Sequence, residues 1–252
     1  MQTNSLEWLS RFEGLLESAP RDDPDLLSQF YTPDARLEQH LLQLKSYAEK
    51  TSPTAGERRG AGILMEQIAF LAFSSLTPAL EPESYRSVGS QVDLEVSGVG
   101  TVWRALLSTL GLQTDRHSFL LEAKATKDKV DVPVMTRLCA LMDQRSTVTL
   151  GIFFTLSGCT GEPTRNESTA SLRDARFHQV LHHVRTSCPI VVFDLDDILS
   201  LSGAGSLIRH LHQKIRQVEQ VTTSQPVRVG EYKKVELPGH LSELMSPTRA
   251  EE

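Results

Sequence analysis

The rhythm of apolar positions changes along the chain. Leu6, Leu9, Phe12, Leu15 and Leu16 recur at three- and four-residue spacing, the period of one helical face. Pro20 and Pro24, with Asp22 and Asp23 between them, interrupt that pattern. Leu37, Leu41, Leu42, Leu44 and Tyr47 predict a second helix, and Pro33 and Asp34 stand near its start, as helix-start chemistry favours. Residues 51–60, TSPTAGERRG, read as a linker. Ile63, Leu64, Ile68, Leu71 and Ala72 then fit an amphipathic helix. Four runs have strand character: residues 92–96, 119–123, 150–156 and 189–195. Trp103, Leu106, Leu107 and Leu110 predict an inserted helix or long hairpin between the first two. Val134, Leu138, Leu141 and Met142 place a helix before the third, and Leu172, Phe177, Val180, Leu181 and Val184 place one before the fourth. A basic-tinged helix follows over residues 207–218, and residues 222–252 read as an extended tail. The order predicts an α/β fold, a central mixed sheet flanked by helices. Three segments result: an N-terminal helical appendage, 1–55; the α/β domain, 56–218; and a C-terminal tail, 219–252.

Composition narrows the class. With 39% hydrophobic and 23% charged residues among 252, the chain can bury a core and is not disordered throughout. Cys139, Cys159 and Cys188 are three, an odd number, and none makes a CxxC pair, so they read as reduced thiols of a cytoplasmic protein rather than disulfides or a zinc site. The glycosylation sequon at Asn166 then carries no meaning. The N-terminus lacks a basic start followed by an apolar run, and no stretch approaches the length of a membrane span, so no membrane partner is expected. A net charge of −6 weighs against nucleic acid, which usually leaves a basic footprint. A hydrolytic centre built of carboxylates adds to that negative balance, and a local basic face or another subunit can supply phosphate contacts.

The chemistry gathers in three fragments. In Phe119-Leu120-Leu121-Glu122-Ala123-Lys124 strand alternation points Glu122 and Lys124 one way and Leu121 and Ala123 the other. Alone, this reads better as an ion pair at a strand edge than as a site. In residues 91–96, QVDLEV, Val92, Leu94 and Val96 form one face and Gln91, Asp93 and Glu95 the other, as in any half-solvated strand. Glu66 sits in a mostly apolar helix, where a lone glutamate usually faces solvent. Together they suggest more. Mg²⁺ or Mn²⁺ takes hard oxygen ligands and Mg²⁺ keeps several waters. Asp93 and Glu122 from adjacent strands, with the carbonyl of Ala123, would supply them, Glu95 being a weaker candidate. Lys124 would orient or deprotonate a water, or steady charge on a phosphate, and Glu66 would hold a metal-bound water. Arg58 and Arg59, before the Glu66 helix, and Lys127 and Lys129, after the Glu122 strand, suggest phosphate contacts, or merely solvated loop charges.

Other constellations are weaker. His178 and His182 have the i, i+4 spacing of a zinc pair but lack an accompanying zinc motif, and Asp194, Asp196 and Asp197 read as caps of a strand-to-helix turn. The Gly203–Ser206 run lacks a P-loop ending, no GxSxG element occurs, and Cys159 has no His/Asp partner in sequence.

The spaced acid followed by E-x-K on a helix–strand–strand core resembles the PD-(D/E)xK, restriction-endonuclease-like superfamily. Residues 60–73 resemble its opening helix with an acidic residue, Glu66. FLLEAKATKDKVDVPVMTRLCALM, residues 119–142, GIFFTLSGCTG, residues 151–161, and VVFDLDDILSL, residues 191–201, resemble successive segments of its Mrr-type restriction endonucleases. The likeness covers about residues 58–216. The Pro of the family's name is absent, Val92 preceding Asp93, and the segment between Asp93 and Glu122 is long. The resemblance implies a restriction-endonuclease-like core and a Mg²⁺- or Mn²⁺-dependent endonuclease acting on DNA. It implies Glu66, Asp93, Glu122 and Lys124 as catalytic residues, with Asp93, Glu122 and the Ala123 carbonyl on the metal. It also implies a bacterial restriction or anti-phage defence setting; control by a protein partner or a homo-oligomer is inferred from the lack of a reader or motor. The alternative is a nuclease-fold module kept for binding nucleic acid or protein, its chemistry silent.

Overall fold

The computed structural model describes residues 14–16, 18–21, 23–77, 83–85, 92–161 and 173–223. Leu6, Leu9, Phe12, Gln91, Asn166, Leu172 and the tail beyond residue 223 lie outside them.

The sheet is built around its most apolar strand. Strand β4 (Val148–Thr155) is buried at every position, as a parallel strand between two helical layers must be. On one side it pairs parallel with β3 (Ser118–Lys124), Leu121 opposite Ile152 and Lys124 opposite Thr155. On the other it pairs parallel with β5 (Ile190–Phe193). Beyond β3, β2 (Val92–Ser97) runs antiparallel, and β1 (Glu83–Tyr85) pairs antiparallel with β2. The order is β1-β2-β3-β4-β5. The fold is therefore α/β with a central mixed sheet flanked by helices, as the order of patterns predicts. Strand β1 is too short to leave a period in the sequence.

Helices α1 (Pro24–Phe30) and α2 (Leu37–Ala48) precede α3 (Ala55–Ser74). Helix α4 (Gly100–Thr109) fills the long segment between β2 and β3. Helix α5 (Val132–Asp143) links β3 to β4, and α6 (Ala175–Thr186) links β4 to β5. A short α7 (Leu195–Leu199) and a long α8 (Ser206–Thr223) follow. Asp194 caps α7 in a reciprocal box with Asp197, so the acidic cluster there is helix-start chemistry.

The expected linker at 51–60 is corrected. Helix α3 starts at Ala55: the Thr54 hydroxyl accepts from the Glu57 amide at 3.2 Å, and the Glu57 carboxylate accepts from the Thr54 amide at 2.7 Å. This capping box satisfies two helix-start amides despite Gly56 and Gly60. The buried face of α3 is Ala61, Met65, Ile68, Ala69, Ala72 and Phe73, while Ile63 is half exposed.

One core lies between the sheet and helices α1–α4, α7 and α8. Leu26, Leu27, Phe30, Tyr31, Leu37, Leu41 and Leu44 join it with Leu121, Ile152 and Phe154. The N-terminal helices therefore share the core of the sheet. Tyr31 secures them: its hydroxyl donates to the Leu201 carbonyl at 2.8 Å, its carbonyl accepts from Gly205 at 2.9 Å, and the Phe30 carbonyl accepts from Thr77 at 2.8 Å. The second core holds Met135, Leu138, Cys139, Leu141 and Met142 of α5 against Leu120, Phe153, Ile190 and Val192.

Gly98, at the end of β2, has no room for a side chain. A Cβ there would meet the Trp103 ring at 2.2 Å. That ring cannot yield easily, because its Nε1 donates to the His117 carbonyl at 3.1 Å and it packs on Phe119, centroids 5.2 Å apart. Gly98→Ala is expected to cost about 1–3 kcal/mol through overpacking, read as a lower urea midpoint; an unchanged midpoint would mean that the strand end shifts freely.

Candidate active site

The β2–β3 ladder runs from Ser97–Ser118 to Leu94–Leu121. Asp93 and Glu122 are the next residues on the two strands. There the backbone ladder gives way to a side chain: an Asp93 carboxylate oxygen accepts from the Ala123 amide at 2.7 Å. Burial alternates along β2, with Val92, Leu94 and Val96 buried and Asp93, Glu95 and Ser97 half-buried. Leu94 and Val96 enter the core under α3, but Val92 joins the one under α5. The three take the buried positions of the strand, as their alternation predicts, but do not share one core.

Glu122 and Lys124 do share a face, the one under α5. The Glu122 side chain is 2% exposed, and Arg137 of α5 forms an ion pair with its Oε1. The Lys124 ammonium lies 3.9 Å from Oε2. Burial holds the Glu122 carboxyl above its ordinary pKa; the hydrogen bond and charge of Arg137 and the charge of Lys124 oppose this, and the negative charge of Asp93 adds to it. That coupling places the two carboxylates within electrostatic reach of one another.

Glu66 and Asp93 are brought to a common opening. Both line an open cleft of about 360 Å³ whose floor includes Ile63 and Phe70 and whose further wall is Arg36 and His40 of α2. Arg36 is anchored to Asp34 at 2.7 Å, and His40 Nδ1 lies 2.8 Å from the Arg36 carbonyl. Asp93 thus lines the cleft with Glu66 and also holds the amide of Ala123, the residue after Glu122. Glu122 does not line the cleft. Arg137, Arg36 and His40 went unnoticed in the sequence, where an arginine in an otherwise apolar helix and a polar pair on a distant one carry no pattern that points to Asp93.

The remaining candidates take different places. Glu95 is tied to Arg145 at 2.6 Å, so it serves as a structural ion pair rather than a spare ligand. Arg58, Arg59, Lys127 and Lys129 are all exposed. Lys127 donates to the Lys50 carbonyl, and Lys50 pairs with Glu57 at 2.6 Å, which brings the loop after β3 beside the start of α3 where Arg58 and Arg59 lie. His182 is buried, its Nδ1 3.1 Å from the Cys188 carbonyl and its Nε2 3.3 Å from Asp143, and burial lowers its pKa. It joins α6 to α5. Cys139, Cys159 and Cys188 are free and buried.

Among the described residues no group of three His, Cys, Asp or Glu side chains is assembled to hold a metal ion. A centre here would rest on two carboxylates, a backbone carbonyl and water. That donor set suits Mg²⁺ or Mn²⁺, hard ions that accept oxygen ligands, Mg²⁺ keeping part of its hydration. Two mutually repelling carboxylates, one of them buried, are also a reason for a cation to sit between them.

No family model matches the chain, and no curated protein does. Among solved structures it is similar to the restriction endonuclease FokI, at 13% identity and a TM-score of 0.35, over 73% of this chain and 33% of that one. The chain thus spans about a third of the length of that enzyme. No helix among the described residues is long and apolar enough to cross a membrane.

Proposed function

We propose that the protein is a divalent-metal-dependent endonuclease that hydrolyses phosphodiester bonds of DNA. The observation that supports this best is the Asp93 carboxylate bonded to the amide next to Glu122, with the Lys124 ammonium on the Glu122 side. Two acids and one ammonium from neighbouring strands are what metal-assisted attack of water on a phosphate needs. A Mg²⁺ or Mn²⁺ ion held by Asp93, Glu122 and the Ala123 carbonyl would supply an activated water and neutralise charge developing on the phosphate. Lys124, a third exposed, is placed to orient that water, to take its proton, or to donate to the developing negative oxygen. Glu66 and Asp93 line one cleft, where Glu66 would hold a water at the edge of the centre. Arg58, Arg59, Lys127 and Lys129 offer phosphate contacts beside it, and Arg36 and His40 extend them along the far wall. Such basic groups position a backbone without reading its sequence, which fits control by a protein partner or by self-assembly. The Mrr-type affinity, the bacterial defence role and a cytoplasmic setting rest on the sequence alone.

A second reading draws on the Arg137–Glu122 pair: the module binds nucleic acid or protein and the pair has replaced the metal for good. Incubating the purified chain with plasmid, linear DNA and RNA separates the two. The first reading expects nicked or linear plasmid with Mn²⁺ or Mg²⁺ and intact plasmid with EDTA. Binding without cleavage in either metal supports the second.

A further inference from the structure

The contact between Arg137 and Glu122 does more than neutralise a buried charge. Glu122 is locked in place, 2% exposed on a strand paired on both sides, whereas the Arg137 side chain is 51% exposed at the surface of α5. One partner cannot move and the other has solvent to move into. The guanidinium lies on Oε1, and the Lys124 ammonium flanks Oε2 at 3.9 Å. The buried carboxylate thus has a cation at each oxygen. An arginine reaches a carboxylate as a planar fork of donors, and its tip holds an oxygen that a metal ion in the same place would have to coordinate.

We propose that Arg137 is a displaceable stand-in for the divalent cation: it holds Glu122 while the centre is empty, competes with the cation for Oε1, and swings outward when the cation binds. The inference rests on the metal-centre reading above. It makes the chain's metal affinity a property set by α5, so that anything drawing Arg137 outward, a phosphate backbone above all, favours metal entry.

The test is calorimetric titration of the full chain with Mn²⁺ alone, with melting curves alongside, for the wild type, Arg137→Ala, Arg137→Lys and Asp93→Asn. Removing one charged hydrogen bond from a ligand oxygen should tighten Mn²⁺ binding by about tenfold or more in Arg137→Ala. Arg137→Lys should fall between it and the wild type, and Asp93→Asn should lose binding. Without metal, Arg137→Ala should melt lower than the wild type and recover more on adding Mn²⁺. Binding by Arg137→Ala but not by the wild type would support the proposal in its strongest form. A merely structural ion pair predicts the reverse, equal or weaker Mn²⁺ binding in Arg137→Ala. That result, with binding still lost in Asp93→Asn, would overturn this inference and spare the metal centre. No Mn²⁺ binding by any of the chains, or binding indifferent to Asp93, would overturn both. If Arg137→Ala does not fold, Arg137→Lys decides: tighter binding supports displacement, equal or weaker binding overturns it.

Discussion

Asp93→Asn abolishes divalent-dependent cleavage and leaves the fold in place. This outcome follows from the two tasks of Asp93. Its carboxylate oxygen accepts from the Ala123 amide, and an asparagine carbonyl can accept the same bond. What asparagine cannot supply is the negative charge for a metal ion, and a hard divalent cation needs that charge. Lys124→Ala removes the only described ammonium within 4 Å of Glu122 and so the group that steadies charge during attack. Removing one such electrostatic contact from a reacting centre costs on the order of 10²–10³ in rate, and losing a metal ligand costs more. The measurement is plasmid nicking with Mn²⁺, beside urea unfolding. Cleavage that persists in either purified variant, with its unfolding unchanged, would remove these residues from the chemistry.

The largest effect on stability is expected at Phe30→Ala. Phe30 is fully buried in the core shared by the N-terminal helices and the sheet, so truncation leaves a cavity that the surroundings fill only in part. Such a change costs about 3–5 kcal/mol, a large share of the 5–15 kcal/mol typical of a whole domain. Tyr31→Phe, which removes only the hydroxyl bond to Leu201, should cost nearer 1 kcal/mol. Urea midpoints rank the two, and a larger loss in Tyr31→Phe would mean that the hydroxyl, not packing, holds the N-terminal helices. Deleting residues 1–50 removes Phe30 together with Leu26, Leu27, Leu37, Leu41 and Leu44 and should leave no cooperative transition.

The sequence was informative where one strand or helix decides the outcome. The four long strands could be read because apolar runs ending in turn residues suffice to place them, and Glu122 and Lys124 share a face because a period of two leaves no alternative. The capping box of Thr54 and Glu57 was legible in principle, but glycine and proline around it outweighed it. The rest depended on contacts between distant segments. An Asp93 carboxylate oxygen, not a carbonyl, takes the Ala123 amide, and no local pattern records that exchange. Arg137 meets Glu122, and Arg36 and His40 come to line one cleft with Asp93, only once helices are laid on the sheet. Glu95 resembled a ligand until Arg145 closed on it.

The loop that leaves β3 is fastened along both edges. Val130 bridges Cys159, its amide donating to the Gly158 carbonyl at 2.9 Å, and the Ser157 hydroxyl donates to the Lys127 carbonyl at 2.8 Å, while Lys127 itself reaches the end of α2. A segment stitched in this way behaves as a beam rather than a flap. Lifting it would break the Val130 and Ser157 bonds at the turn after β4 as well as the Lys127 bond at Lys50.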